Sequence, residues 1–196
     1  MNRKKKTRRV VFLDIDGVLQ PPSQQNRFKH DLDQLRGSLA KKFNDVSYLD
    51  MDKYDLGAIY YDWRKDAVDR LRRLCEDFDA DIVISSDWRS RKTVSLLKAY
   101  FRIHGLHQFV IDMTNEISRA PHYRAGEVED YIDAHPEIER FVIFDDSYKK
   151  EFDHLFKDQF VWTHAYITEL DDRRARQILS GVPITQENEP RTKRDL

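Results

Sequence analysis

The chain has 196 residues, 40% of them apolar and 35% charged, which suits one domain of ordinary size with a true core. Its formal net charge is −1, so nothing global draws it to nucleic acid or to an anionic membrane. No run approaches the ~18 apolar residues of a membrane span, and a lone Cys75 excludes an internal disulfide and points to a reducing, cytoplasmic setting.

The N-terminus, residues 1–9, is a basic tail whose charge is concentrated in residues 3–9. It reads as solvated charge, or more sharply as a weak contact to a nucleic-acid backbone. The apolar run that follows is only "VVFL" and an aspartate closes it, too short for a secretory signal. That run is instead the first of five expected buried strands, at residues 10–14, 81–85, 108–112, 140–144 and 159–163. Each is compact, apolar and rich in β-branched or aromatic residues.

Residues 20–62 interrupt this rhythm, with "LQPP", a predicted helix over 31–43 and an aromatic segment holding Tyr54, Tyr60 and Tyr61. The stretch is too long for an ordinary loop and reads as a small cap. Further helices are expected over 64–78, 92–105, 126–135, 148–156 and 169–181. Cys75 falls at helical spacing from Leu71 and Phe78 and reads as core. The tail from 185 is polar and without pattern. The expected fold is α/β: a Rossmann-like, parallel, five-stranded sheet with helices on both faces and a small cap insertion after the first strand, the catalytic domain running over 10–184.

Such a sheet gathers its strand C-termini along one edge, where ligands bind. There the sequence puts Asp14 and Asp16 after the first strand, Ser85 and Ser86 after the second, Arg124 before the fourth, and Asp145 and Asp146 after it. Side chains two apart on an extended chain point the same way, so Asp14 and Asp16 are expected together. Like charges that close repel, and a divalent cation removes the problem. Few ligands, all oxygen, backed by a substrate phosphate suit Mg²⁺, while the seven histidines are scattered and offer no zinc cluster.

"FLDIDGVL" resembles the first motif of the haloacid dehalogenase-like superfamily of phosphohydrolases, and "VISSDWR" and "FVIFDDS" resemble its later motifs in order. Together the three resemble the phosphatase-like domains associated with RNA-repair proteins. The resemblance covers about residues 9–180. It implies that Asp14 is the nucleophile, forming an aspartyl-phosphate, and that Asp16 is the general acid and then base. It implies that Gly17 allows the turn and that Ser86, preferred to Ser85, bonds a phosphoryl oxygen. Arg124 would screen charge where the family more often has lysine, with Arg119, Lys149 and Lys150 as competitors. Metal contacts would come from Asp14, the Asp16 backbone carbonyl and Asp146, with Asp145 behind them. Asp87, Trp88 and Arg89 would border the substrate, although Ser86 and Asp87 also read as helix caps and Trp88 as packing under the cap. An aromatic face and a guanidinium beside a phosphate suit a nucleotide or a nucleic-acid end.

Receiver domains also cluster acids on a parallel sheet, but their adjacent acidic pair follows the first strand and the phospho-acceptor the third; here the order differs. The expected activity is Mg²⁺-dependent phosphomonoester hydrolysis on a phosphorylated small molecule or nucleic-acid end. Phosphotransfer to another acceptor, and non-catalytic binding of phosphate or RNA, are the rivals.

Overall fold

The computed structural model describes residues 7–116 and 124–181. Five strands form one sheet: Arg8–Leu13 (β1), Ala80–Ile84 (β2), Val110–Met113 (β3), Ile138–Asp145 (β4) and Phe160–Trp162 (β5). All pairings are parallel and the order is β3-β2-β1-β4-β5, the doubly wound arrangement. β1 is therefore central, and the strand order reverses between β1 and β4.

Both faces of the sheet are covered, which is why the strands read as continuous apolar runs rather than alternating ones. Val11 and Leu13 of β1 join one core cluster; Val10 and Phe12 join the other. The first cluster takes the inner faces of Lys65–Phe78 (α3), Val94–Arg102 (α4) and Glu169–Ser180 (α7). The second takes Arg124–Ala134 (α5) and Lys149–Leu155 (α6). Cys75 is fully buried in the first cluster, and burial pushes its thiol well up.

Local signals place the helix ends. Asp31 caps Leu32–Phe43 (α1) by accepting from the N–H groups of Asp33 and Gln34. Thr168 and Asp171 form a capping box on α7, and Gly181 ends that helix in the left-handed region.

The insertion is helical: α1, Lys53–Gly57 (α2), a π turn over Ala58–Asp62, and short 3₁₀ turns. Leu35, Leu39, Tyr48, Leu56 and Ile59 are buried in the same cluster as α3 and α4, so the insertion extends the main core. It is pinned to α4, where the Tyr48 hydroxyl donates to the Ala99 carbonyl at 2.7 Å and the Tyr100 hydroxyl to Asp55 Oδ2 at 3.0 Å. Tyr54 and Tyr60 are exposed, whereas Tyr61 stacks on His30.

The basic tail is shorter than the sequence suggests. Arg8 and Arg9 are strand residues: the Arg8 N–H donates to the Glu137 carbonyl, and Arg9 Nη1 to the Phe78 carbonyl. A central strand needs partners along its whole length, and β4 and the end of α3 extend far enough to engage these two arginines. Residues 1–6 and 182–196, with the C-terminal tail expected from 185, lie outside the described residues. Among the described residues no helix is long and apolar enough to cross a membrane.

Candidate active site

β1 and β4 run in register with Leu13 opposite Phe144, so the next residues, Asp14 and Asp145, come side by side at the strand ends. The Asp14 N–H donates to the Phe144 carbonyl at 3.0 Å, carrying the ladder one residue further. Both residues continue the strand alternation on the face of Phe12 and Ile143, towards α5. One carboxylate oxygen each from Asp14, Asp145 and Asp146 lie within 4.8 Å of one another.

Asp14 is 8% exposed and Asp145 is 1% exposed. Burial is the largest influence on both carboxyls and pushes both up; their mutual repulsion adds to it at Asp145. At Asp14 a hydrogen bond from Ser86 and the charge of Arg124 pull the other way. Asp145 Oδ1 accepts from the Ser147 N–H at 2.7 Å, while its buried Oδ2 has no partner among the described residues. Three converging carboxylates, with an unpartnered buried oxygen among them, fit a hard divalent cation held by oxygen. Asp145 thus brings a carboxylate into the same cluster as Asp14 and Asp146.

Asp16 is placed differently from the sequence expectation. The period of two requires extended chain, but β1 ends at Leu13 and the chain turns. The Val18, Leu19 and Gln20 N–H groups all bond the Ile15 carbonyl, and the Gly17 N–H bonds the Gln20 carbonyl. The Asp16 carboxylate is therefore not in the three-carboxylate cluster; its Oδ2 accepts from Trp88 Nε1 at 2.9 Å. Burial raises the Asp16 carboxyl, the Trp88 bond lowers it, Asp146 raises it and Arg27 lowers it, in that order.

Gly17 has φ +71° and its backbone passes hard against Asp146. A Cβ there would sit 2.0 Å from Asp146 Oδ2. Only glycine allows both the turn and this approach. Its carbonyl accepts from Thr163 Oγ1 at 2.8 Å, and Trp162 Nε1 donates to the Asp146 carbonyl at 3.0 Å.

The second strand delivers Ser85 and Ser86, both buried. Ser86 bonds Asp14 and also caps the short turn Asp87–Arg89, accepting from the Trp88 N–H at 3.3 Å. Ser85 Oγ is buried without a partner among the described residues. Asp87 does not cap the turn, because it is the turn's first residue; its carboxylate instead accepts from Arg124 Nη2 at 2.6 Å.

Arg124 is 2% exposed, and its Nε and Nη1 have no partner among the described residues. The charges nearest to it in effect are Asp145, Asp87, Asp14 and Glu127. Of its competitors, Lys149 is paired with Asp153, Lys150 is exposed, and Arg119 lies outside the described residues. Arg89, expected at the substrate, is 3% exposed and turned inward. It ion-pairs with buried Glu127, and its Nη1 donates to the Ser86 carbonyl at 2.7 Å. A guanidinium committed in that way supports the Ser86 loop from behind. Trp88 is half-buried, with its polar edge on Asp16.

Sequence reasoning missed Thr163, Trp162 and Glu127. Thr163 follows directly on β5, so the same rule that picked out the other strand ends could have found it. Trp162 and Glu127 carry no comparable signal, since an aromatic on a strand and an acid in a helix are ordinary.

A family model described as the HAD domain in Swiss Army Knife RNA repair proteins matches residues 10–173. Among solved structures, a haloacid dehalogenase-like family hydrolase from Streptococcus pneumoniae is similar over 85% of this chain and 89% of its own, at 18% identity and a TM-score of 0.42. No curated protein matches the chain. The family match runs from within β1 into α7 and takes in every strand end described above, so the chain belongs to the family of HAD domains found in Swiss Army Knife RNA repair proteins.

Proposed function

We propose that the protein is a Mg²⁺-dependent phosphomonoesterase that works through an aspartyl-phosphate, with a nucleotide or nucleic-acid end as substrate. The observation that carries this reading is Asp14: a buried carboxylate at the end of the central strand, with two further carboxylates, a serine hydroxyl and a buried arginine around it. The family's occurrence in RNA repair proteins supports the choice of substrate.

In this reading an Asp14 oxygen attacks phosphorus as the ester P–O bond breaks, and Asp16 gives a proton to the departing oxygen. Water then attacks the aspartyl-phosphate, Asp16 takes the water's proton, and inorganic phosphate leaves with Asp14 restored. Charge on the phosphoryl oxygens is met by Arg124, whose Nε and Nη1 are unspent, and by the Ser86 hydroxyl. Asp14, Asp145 and Asp146 would hold the cation. Bound there, it would offset the negative charge of nucleophile and phosphate together.

The test is phosphate release from nucleoside monophosphates and from 3′- and 5′-phosphorylated oligonucleotides, with Mg²⁺ and with EDTA. Metal-dependent release by wild type that is lost in Asp14→Asn supports the reading. Release that persists in Asp14→Asn, or no release from any substrate, refutes it.

A further inference from the structure

Trp88 is the one neighbour of Asp16 whose side chain is hydrogen-bonded to it among the described contacts, at 2.9 Å through the indole N–H. That bond has a chemical consequence. An indole nitrogen can only donate. Asp16 Oδ2 must therefore act as acceptor, and when Asp16 is protonated its proton belongs on Oδ1. A carboxyl free to rotate would present either oxygen; this one presents a set face.

The indole is itself held on several sides. Its own N–H in the backbone is bonded to Ser86 Oγ, the hydroxyl that also bonds Asp14. The Tyr100 ring meets it edge-on, with centroids 6.4 Å apart and planes at 86°. Lys92 Nζ lies 5.8 Å from its centroid. Both of these neighbours are tied to one carboxylate of the insertion: Asp55 on α2 accepts from the Tyr100 hydroxyl at 3.0 Å and pairs with Lys92 at 3.3 Å. A continuous set of contacts thus runs from the insertion, through Tyr100 and Lys92, to Trp88 and on to Asp16.

We propose that Trp88 is the positioning residue for Asp16, and that the insertion, through Asp55, Tyr100 and Lys92, fixes the indole so that Asp16 Oδ1 faces the leaving-group oxygen. This rests on the hydrolase reading above. Its consequence is selective. Proton donation matters for an alkoxide leaving group, which is a strong base, and matters little for p-nitrophenolate, which leaves without help. The insertion then governs which esters are cleaved.

The experiment compares kcat/KM for p-nitrophenyl phosphate and for glycerol 2-phosphate in wild type, Trp88→Phe, Tyr100→Phe and Asp16→Asn. This ratio reports the steps up to ester cleavage. Trp88→Phe keeps an aromatic ring beside Tyr100 and removes the donor together with part of the indole's ring area. It is expected to lose roughly 10- to 100-fold on the alkyl ester and no more than about threefold on the aryl ester, a weaker copy of the Asp16→Asn pattern. Tyr100→Phe should shift selectivity the same way by a smaller factor. Equal losses on both esters, or none on either, overturn the proposal while leaving an active wild type and its hydrolase reading intact. A wild type that cleaves neither ester nor any substrate of the earlier panel refutes the hydrolase reading, and the positioning role falls with it. Unchanged far-ultraviolet circular dichroism of each variant separates these outcomes from misfolding.

Discussion

In the metal-free protein the three-carboxylate cluster should make stability fall as pH rises. Asp14 and Asp145 titrate as a pair, raised by burial from the ordinary 3.8 to about 7 and about 8. Between pH 4 and those values the folded site keeps protons that the unfolded chain has released. The folded state therefore binds more protons, and raising the pH works against it. Each retained proton is worth about 1.4 kcal/mol per pH unit, so even one kept by the pair costs the folded state about 3 kcal/mol between pH 5 and pH 7. For a chain of this length that corresponds to a fall in Tm of about 6 to 12 °C. His104 acts in the opposite sense: burial holds its imidazole below the ordinary range, so it favours folding as pH rises. The useful comparison is accordingly wild type against Asp145→Asn, which share His104. Asparagine keeps the acceptor for the Ser147 N–H and removes the repulsion on Asp14. In EDTA, Asp145→Asn should gain Tm over wild type, and the gain should widen from pH 5 to pH 7. Millimolar Mg²⁺ should raise the Tm of wild type, more at pH 8 than at pH 5, and that of Asp145→Asn much less. Thermal melts followed by circular dichroism would measure this. Parallel melts with no widening in EDTA would refute the account of the cluster.

Gly17→Ala puts a methyl group against Asp146 and holds a non-glycine residue at φ +71°, so it should cost at least about 1 kcal/mol and weaken Mg²⁺ binding, read by urea melts and by calorimetric titration. Arg124→Lys replaces a fork whose Nη2 reaches Asp87, and whose Nε and Nη1 are open to phosphate, with one point charge, so kcat/KM should drop roughly 10- to 100-fold with the fold retained. Arg27→Met leaves the fully buried Asp62 without its cation and should destabilise by about 3 kcal/mol, whereas Arg27→Met with Asp62→Asn should recover most of that loss in a double-mutant cycle.

The sheet could be read directly because a strand covered on both faces must be apolar throughout. All five expected runs coincide with strands to within a few residues, and the helices between them carry one-sided stripes. The acids and Ser86 were legible for a related reason: in a parallel sheet every strand C-terminus lies on one edge, so polar residues at strand ends share that edge. Chain order therefore brings Asp14, Ser86 and Asp145 together before any packing is known. The insertion was legible only as an interruption. Its aromatic residues alone do not separate Tyr48, which is buried against α4, from Tyr54, which faces solvent.

Tertiary structure alone decided orientation and pairing. The turn after Leu13 breaks the period of two and sends Asp16 to Trp88 rather than to Asp14, because hydrogen bonds to the Ile15 carbonyl, not strand geometry, direct that residue. Two arginines that look alike in the sequence take different roles: Arg89 is spent on Glu127, while Arg124 keeps two donors unspent among the carboxylates. That division depends on which acid each guanidinium meets when α5 docks against the second strand's loop. Sequence patterns encode burial and periodicity, which are local; the choice of partner across the fold is made by packing.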